Sequence, residues 1–347
     1  MSLQDAIATG AVAEVLELAR AIGDGGAFAV LDPDGKVLVG ELPAGGAAGR
    51  RSQPIVVAGR VAGTVVADAG APTALLALLA RTLELAIDTA AAVAARTRIA
   101  DELAIGRRIQ GSLIPRHLPD VPGWSFAAAY EAAREVGGDM YDVFPLRARP
   151  HLFGLLVADV TGKGIPAALL MADARALLHS AADNADGPAD ALGRVNRILV
   201  RERGTALFVS AALAIVDAGT GVLHYASAGH EPPIRLRPGG DGTLEELDAG
   251  GPVLGAFDVP VFEERAATLE PGDSLVLYTD GITETRDVAG AFLGEERLFA
   301  ALQTVCGRPA VAQADAVMAL VRAFRGDAEP FDDLTLVVAQ RAAAGTS

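Results

Sequence analysis

The sequence predicts an α+β protein with a small N-terminal region and a larger region after it. Three observations support this fold class. Short apolar runs of strand length follow one another with turn residues between them, which is typical of antiparallel sheets. Segments with helical spacing are grouped between those runs rather than alternating with each of them. With 347 residues, of which 51% are hydrophobic, the chain is long enough for two domains that each bury a core.

The first region, residues 1–72, is predicted to be a small α+β module. Residues 3–22 carry apolar side chains at helical spacing, and the turn sequence DPDG at 32–35 separates two short apolar runs. A second strand pair is predicted at 53–58 and 63–67. This order of elements resembles a reduced GAF- or PAS-like sensor domain. A packing or dimerisation module without a ligand is an equal alternative.

The segment 73–113 is predicted to form one long linker helix. It contains no proline, and apolar or small residues recur every seven positions. These residues are Leu78, Leu85, Ala92, Ile99, Gly106 and Leu113. The spacing predicts a coiled coil that joins sensor to effector in a homodimer, and a helix that packs on its own domain fits it equally well. Pro115 and Pro119 end the helix.

The larger region, residues 114–347, is organised around a predicted β-hairpin at 139–160. Two apolar runs, DMYDVFPL and LFGLLVADV, flank a turn with the sequence RARP. If Arg149 is the centre of that turn, Asp139 and Asp159 lie opposite each other. Like charges that face each other across paired strands are destabilising, so we expect a divalent cation between these carboxylates.

The remaining elements are short strands with helices grouped between them. Helices are predicted at 165–182, 188–202, 294–305 and 310–326. Strands are predicted at 207–217, 221–229, 232–237, 243–248, 262–270, 274–280 and 333–340.

Two further aspartates lie at strand ends that antiparallel pairing would bring together. Asp280 ends the run SLVLYTD, and Asp332 precedes the final strand. All four aspartates are therefore expected to share one sheet edge. Carboxylates with no histidine pair or cysteine among them favour Mg²⁺ or Mn²⁺ over zinc, and two metals would be needed to offset so much negative charge.

Composition excludes several classes of function. The net charge of −15 argues against nucleic acid or an anionic membrane as a partner, since both require a basic surface. A single cysteine, Cys306, excludes a disulfide framework and a cysteine-based zinc site. The most apolar stretch, 73–95, is interrupted by charges, and the N-terminus does not resemble a signal peptide. We expect a soluble protein in a reducing cytoplasm.

Six segments resemble, in order, the motifs of the type 2C metal-dependent serine/threonine protein phosphatases, in their bacterial SpoIIE/RsbU-like branch. They are GGDMYD (137–142), ADVTGKGIPAALLMA (158–172), ASAGHEPP (226–233), GGPVLG (250–255), PGDSLVLYTDGITE (271–284) and FDDLTLVV (331–338). The segment IQGSLIP (109–115) is similar to the lead-in of that branch. The resemblance covers residues 105–340 and implies a four-layer αββα sandwich, in which helices flank two stacked antiparallel sheets.

The resemblance also implies roles for single residues. Asp139 and Asp280 correspond to ligands of individual metals, and Asp159 to the carboxylate that bridges both. The Val160 carbonyl corresponds to a further ligand, and Asp332, rather than Asp333, to the last carboxylate. The implied cofactors are two divalent cations, Mn²⁺ or Mg²⁺. They would activate a water that hydrolyses a phosphomonoester without a covalent enzyme intermediate.

The implied partner is a phosphorylated protein, namely an anti-sigma-factor antagonist of the STAS type, and the N-terminal module is expected to regulate the reaction. Ser210, Ser227 and Glu231 depart from the residues usual in the family, but none removes a metal ligand. The helices at 165–182 and 188–202 correspond to regulatory helices of the family, although two fixed packing helices are an alternative.

Three questions stay open at the level of the sequence. His230 is either a group behind the metal ligands or on the substrate side, or a hydrogen-bonded structural histidine. A catalytically silent scaffold on the same fold is the main alternative function. The segment VGGDMYD also suggests a nucleotide cyclase, but this hypothesis leaves Asp280 and Asp332 without a role.

Overall fold

The computed structural model of the protein describes residues 27–43, 49–115, 117–202, 207–239 and 243–343. The chain divides into two compact units, residues 1–102 and 103–347. The helix predicted at 3–22 lies outside the described residues. None of the helices in the described ranges is long and apolar enough to cross a membrane.

The first unit contains a four-stranded antiparallel sheet in the order β2-β1-β4-β3. Its strands are β1 (Phe28–Leu31), β2 (Val37–Gly40), β3 (Arg50–Val57) and β4 (Arg60–Asp68). Both predicted hairpins are confirmed, since β1 pairs with β2 and β3 with β4. Helix α1 (Thr73–Leu113) follows, and its first turns bury Leu76, Leu83 and Ile87 with Ile55 and Val65 of the sheet.

Helix α1 carries a second apolar stripe that the sheet does not cover. Leu78, Leu85 and Ile99 are 62%, 67% and 58% exposed. Burying apolar side chains of this size is favourable by about 1.5–3 kcal/mol each, so a stripe of them is a potential contact surface. The long helix is confirmed, and the coiled coil stays a prediction.

The second unit contains two five-stranded antiparallel sheets. The hairpin sheet has the order β12-β9-β8-β7-β6 and contains the predicted hairpin. Its strands are β6 (Met140–Pro145), β7 (Leu152–Val160), β8 (Val209–Asp217), β9 (Val222–Ala228) and β12 (Arg265–Thr268). The C-terminal sheet has the order β11-β10-β13-β14-β5. Its strands are β5 (Trp124–Glu131), β10 (Ile234–Arg237), β11 (Thr243–Glu246), β13 (Ser274–Tyr278) and β14 (Leu334–Arg341).

Helices cover the outer face of each sheet. α2 (Ile165–Asn184) and α3 (Pro188–Arg201) pack on the hairpin sheet. α5 (Glu295–Thr304) and α6 (Ala310–Arg325) pack on the C-terminal sheet, and the short α4 (Asp280–Thr283) follows β13. The predicted four-layer αββα sandwich is therefore confirmed.

Strand β7 shows why its sequence is apolar at nearly every position. Leu156 and Ala158 pack under α2 and α3, whereas Leu155 and Val157 face the C-terminal sheet. A strand covered on both faces has no solvent-facing positions, so it lacks the alternation of polar and apolar residues that marks a half-buried strand.

The register of the central hairpin agrees with the prediction. Met140 pairs with Ala158, so the turn is centred where the sequence suggested. Two elements were missed by the sequence: strand β5, whose run of small alanines lacks a strong strand signal, and the one-turn helix α4.

Candidate metal centre

The four aspartates meet at the ends of two sheets rather than along one edge. Asp139 directly precedes β6 and Asp159 lies near the end of β7, both in the hairpin sheet. Asp280 follows β13 and Asp332 precedes β14, both in the C-terminal sheet. The expectation of a single shared edge was wrong, because β13 and β14 pair with β10 and β5 and never with the hairpin strands. Stacking of the sheets brings the two pairs together.

Asp139 is the most deeply buried of the four aspartates. It is 2% exposed, and its Oδ2 accepts hydrogen bonds from the hydroxyls of Thr279 and Thr335, each at 2.7 Å. Burial, followed by the charge of Asp159, raises its pKa, and the two threonine hydrogen bonds oppose that rise. Because both threonines belong to the C-terminal sheet segments, these hydrogen bonds also join the two sheets.

Asp159 is partly buried among the other carboxylates of the cluster. Burial raises its pKa to about 6, and the carboxylate of Asp280 adds to the rise, while a hydrogen bond with Asp139 opposes it. A buried carboxylate near other carboxylates is destabilised unless it binds a proton or a cation. Because carboxylates of both pairs act on Asp159, a cation beside it would relieve this repulsion.

Asp280 and Asp332 form the more open half of the cluster. Burial raises the pKa of Asp280, with Glu284 and Asp332 as further causes. The Asp332 side chain is 33% exposed, and its Oδ2 lies 2.9 Å from Nζ of Lys163. Lys163 also donates to the Phe331 carbonyl at 2.6 Å and lies over the Phe331 ring.

The segment TGKG, residues 161–164, connects β7 to α2. Gly162 and Gly164 have φ angles of 94° and 81°, which favour glycine. Between them, Lys163 reaches across to Asp332. This contact was not predicted, because the segments that carry Lys163 and Asp332 adjoin strands of different sheets.

The carbonyl of Val160 is adjacent to the glycine loop before Asp139. A side chain on Gly138 would bring a Cβ to 2.8 Å from the Val160 oxygen and 3.2 Å from Oδ1 of Asp159. Only glycine allows this close approach of the loop to both oxygen atoms. The motif GGD is thus explained by packing around the centre.

Asp333 holds the same loop from the other sheet. Its carboxylate accepts hydrogen bonds from the backbone N–H groups of Ala133 at 2.8 Å and Gly138 at 2.6 Å. The neighbouring Asp332 keeps its carboxylate on the side of Lys163 and Asp280. Asp333 is thus occupied by the loop, whereas Asp332 faces the other carboxylates. This agrees with Asp332, rather than Asp333, as the fourth carboxylate of the centre, which stays a prediction.

The C-terminal end of α1 contacts this loop as well. The Gln110 side chain is 7% exposed; its Nε2 donates to the Gly137 carbonyl at 2.6 Å, and its Oε1 accepts from the Gly137 N–H at 3.0 Å. A side-chain amide that satisfies both backbone groups of one residue fixes the conformation of that residue. The motif IQGSLIP therefore includes a residue that fixes the loop before Asp139.

Helix α2 is tied to β6 by a buried ion pair. Asp142 is 3% exposed and lies 2.8 Å from Nη2 of Arg175 and 3.1 Å from Nδ1 of His179. The His179 ring stacks on Phe144 at 4.1 Å between centroids. Movement of α2 would therefore act on the strand that begins next to Asp139.

His230 forms hydrogen bonds with residues of both sheets. Its side chain is partly buried, and its two ring nitrogens contact Ser210 and the backbone of Tyr278. The neighbouring Glu231 is also partly buried, and burial, followed by the charge of Asp280, raises its pKa. Glu231 therefore lies within electrostatic reach of the cluster.

The donor set fits divalent cations that keep part of their water shell. Within the described residues, no three His, Cys, Asp or Glu side chains converge closely enough to hold one ion between them. Mg²⁺ usually takes only one or two protein carboxylates and retains several waters, so pairs of aspartates suit it. The roles of Asp139, Asp159, Val160, Asp280 and Asp332 as ligands stay predictions.

Comparisons with known proteins agree with the fold. The family model described as stage II sporulation protein E (SpoIIE) matches residues 149–342. Among solved structures, the SiaA-PP2C domain of Pseudomonas aeruginosa is 25% identical, covers 71% of this chain and 98% of its own, and superposes with a TM-score of 0.63. The RsbU and RsbW domains of a Mycobacterium tuberculosis protein are 27% identical, with coverages of 67% and 63% and a TM-score of 0.58.

Two curated relatives are each similar to more than half of the chain. Protein IcfG of a Synechocystis strain is 31% identical over 228 residues, which is 58% of this chain and 35% of that protein. Phosphoserine phosphatase RsbU of Bacillus subtilis is 31% identical over 195 residues, which is 55% of this chain and 56% of the relative. The chain thus spans between about a third and just over half of the length of these relatives.

Proposed function

The chain belongs to the family of the stage II sporulation protein E (SpoIIE), and on that premise we propose that it is a metal-dependent phosphatase of phosphoserine or phosphothreonine in proteins. One observation carries the proposal: the facing ends of two stacked sheets bring Asp139 and Asp159 together with Asp280 and Asp332. The similarity to a relative named phosphoserine phosphatase supports the same activity.

The proposed mechanism assigns a task to each carboxylate. Bound Mn²⁺ or Mg²⁺ would supply Lewis-acid stabilisation of the phosphoryl group and an activated water. Asp139 and Asp280 would each hold one cation, Asp159 would contact both, and Val160 would add a neutral carbonyl oxygen. Thr279 and Thr335 keep Asp139 oriented through their hydrogen bonds. Asp332 would complete the open half of the centre.

The proposed substrate is a phosphorylated partner protein, an anti-sigma-factor antagonist of the STAS type. The resemblance of the motifs to the SpoIIE/RsbU-like branch supports this choice. The kcat/KM for phosphate release should be higher with a phosphoserine-containing STAS-domain protein than with a short phosphoserine peptide. Equal rates would favour a phosphatase without this partner.

Hydrolysis itself is tested by phosphate release from a phosphoserine peptide with and without Mn²⁺. We expect turnover only with the metal, and a loss of at least about a hundredfold in kcat/KM for Asp159→Asn. The control is Asp120→Asn, which changes an exposed carboxylate outside the cluster. Mn²⁺ binding without hydrolysis would support the silent scaffold instead, and full activity of Asp159→Asn would refute the metal assignment.

We also propose that the chain forms a homodimer through α1. The exposed stripe of Leu78, Leu85 and Ile99 supports this, because it repeats at the seven-residue spacing of a coiled coil. Sedimentation equilibrium should give a dimer for the parent chain and a monomer for Leu85→Glu. The control Thr97→Glu adds the same charge at an exposed position on another face of α1 and should leave the dimer intact.

Regulation by the N-terminal residues is proposed to act through α1 and α2. The Gln110 contact with Gly137 and the ion pair of Asp142 with Arg175 support it, since each connects a helix to the segment around Asp139. Phosphate release by the full chain should differ from that of a chain that starts near Leu103. Equal rates would indicate that residues 1–102 do not regulate.

A further inference from the structure

A histidine bridge crosses from one sheet to the other beside the aspartate cluster. His230 follows β9, and its Nδ1 lies 2.8 Å from Oγ of Ser210 in β8 of the hairpin sheet. Its Nε2 lies 3.1 Å from the carbonyl oxygen of Tyr278, the last residue of β13 in the C-terminal sheet. One imidazole ring therefore contacts both sheets.

The partners determine which nitrogen carries the proton. A carbonyl oxygen can only accept, so Nε2 of His230 must donate to Tyr278. Nδ1 of the neutral ring is then an acceptor, and the Ser210 hydroxyl donates to it. Burial lowers the pKa of His230 to about 4, which keeps the ring neutral at physiological pH and preserves this pattern.

The backbone of His230 is held independently of its ring. The Ser227 hydroxyl accepts from the His230 N–H at 3.0 Å and donates to the His230 carbonyl at 3.1 Å. The loop after β9 is thus closed on itself, and the ring projects from a fixed point. An imidazole with a fixed origin and two directional hydrogen bonds sets a distance between its partners more rigidly than apolar packing does.

Each end of the bridge lies next to a carboxylate of the proposed centre. Ser210 is the cross-strand partner of Asp159. On the other sheet, Tyr278 is followed by Thr279, which donates to Asp139, and by Asp280. Both the threonine hydrogen bonds to Asp139 and the His230 bridge therefore join the two sheets next to the cluster.

We propose that His230 is a positioning residue that fixes the separation of Asp159 and Asp280, and with it the affinity of the centre for divalent cations. The inference rests on the proposed function, because it assumes that these two carboxylates ligate metal. His230 itself contacts neither the cations nor the substrate in this role. Residues that orient metal ligands typically change metal affinity by about 10–100-fold when they are replaced.

The experiment measures Mn²⁺ binding to the full chain by isothermal titration calorimetry. For His230→Phe, which keeps a flat ring but removes both hydrogen bonds, we expect a dissociation constant raised by about tenfold or more. The Mn²⁺ concentration for half-maximal phosphate release should rise in parallel, and kcat should largely recover at saturating Mn²⁺. A purely structural residue would instead lower the folded fraction and leave the Mn²⁺ affinity of the folded protein unchanged.

A second pair of variants keeps the inference testable if His230→Phe does not fold. Ser210→Ala removes the donor to Nδ1, whereas Ser210→Thr retains a hydroxyl at the same position. We expect weaker Mn²⁺ binding for Ser210→Ala, by at least about threefold, and near-parental binding for Ser210→Thr. Parental affinity in a folded His230→Phe protein, or equal affinities for the two Ser210 variants, would overturn the proposal.

Asp280→Asn separates this inference from the proposed function. If Asp280→Asn leaves Mn²⁺ binding unchanged, the metal centre is not at this cluster and both proposals are refuted. If Asp280→Asn weakens binding while the folded His230 and Ser210 variants do not, the metal centre stands and only the positioning role is wrong.

Discussion

The hairpin sheet and the C-terminal sheet hold their carboxylates in different ways. Asp139 is 2% exposed and accepts two hydroxyl hydrogen bonds of 2.7 Å, whereas Asp332 is 33% exposed along its side chain and has a lysine as its partner. Uncharged donors fix a carboxylate while leaving its charge available, but an ammonium group neutralises it. If the proposed centre binds metal, the half with Asp139 is preorganised for a cation, and the half with Asp332 must first release the ammonium group of Lys163.

The largest expected effect comes from removing the preorganised carboxylate. Asp139→Asn keeps the size of the side chain but removes the charge that the threonines orient. Because a bound metal supplies several kcal/mol of stabilisation in the transition state, kcat/KM for phosphate release should fall by about a thousandfold. Asp120→Asn, which changes an exposed carboxylate outside the cluster, should retain activity within about twofold. A decrease in kcat/KM of less than tenfold for Asp139→Asn would contradict the idea that Asp139 is the preorganised carboxylate.

The donors to Asp139 should matter next. Thr335→Val removes one of two hydrogen bonds to a buried charged group, and we expect Mn²⁺ affinity to fall by about tenfold. Thr335→Ser keeps the hydroxyl and should bind Mn²⁺ almost as the parent does. Calorimetric titration measures both. Equal affinities for the valine and serine variants would mean that the hydroxyl does not orient Asp139.

A pH dependence of metal-induced stabilisation follows from Asp159. Its pKa is raised from an ordinary value of 3.8 to about 6, so the folded metal-free protein binds a proton that the unfolded chain has released in that interval. Its contribution to the free energy of unfolding therefore decreases as pH rises from about 4 to about 6.

Mn²⁺ competes with that proton, so the increase in Tm caused by Mn²⁺ should be larger at about pH 7.5 than at about pH 5. Differential scanning calorimetry at both pH values measures it, and Asp159→Asn should reduce the difference. A larger increase in Tm at the lower pH would contradict the assignment of Asp159.

The smallest effect is expected on the open half. Lys163→Met removes the ammonium group beside Asp332 and keeps much of the aliphatic side chain. Because a competing positive charge is lost, Mn²⁺ should bind about two- to fivefold more tightly at low ionic strength, and the gain should shrink with added salt. Lys163→Arg retains the charge and serves as the control. Weaker Mn²⁺ binding in Lys163→Met would show that Lys163 supports the centre instead.

The sequence identified the residues of the cluster but not how they are brought together. The turn at Arg149 was sufficient to oppose Asp139 and Asp159, because register within a hairpin depends on local sequence. Antiparallel pairing of the strands likewise predicted that the ends that carry Asp280 and Asp332 lie together. The prediction of one sheet edge was wrong because apolar runs such as β7 do not encode which strands are neighbours in a sandwich.

The residues that support the cluster were missed for the same reason. Thr335, Asp333 and Lys163 act across the space between the sheets, and such contacts leave no periodic pattern in the sequence. Thr335 did carry one signal, since it is a polar residue inside the apolar run LTLVV. A polar side chain in a strand that is buried on both faces requires a hydrogen-bond partner, and its partner is Asp139.

In the proposed centre, carboxylates of the two sheets share one pair of cations through Asp159. Isothermal titration of Mn²⁺ into the full chain and into Asp159→Asn tests it most directly. The parent should bind about two Mn²⁺ per chain, and Asp159→Asn at most one with measurable affinity. Two Mn²⁺ bound with parental affinity in Asp159→Asn would contradict the shared centre.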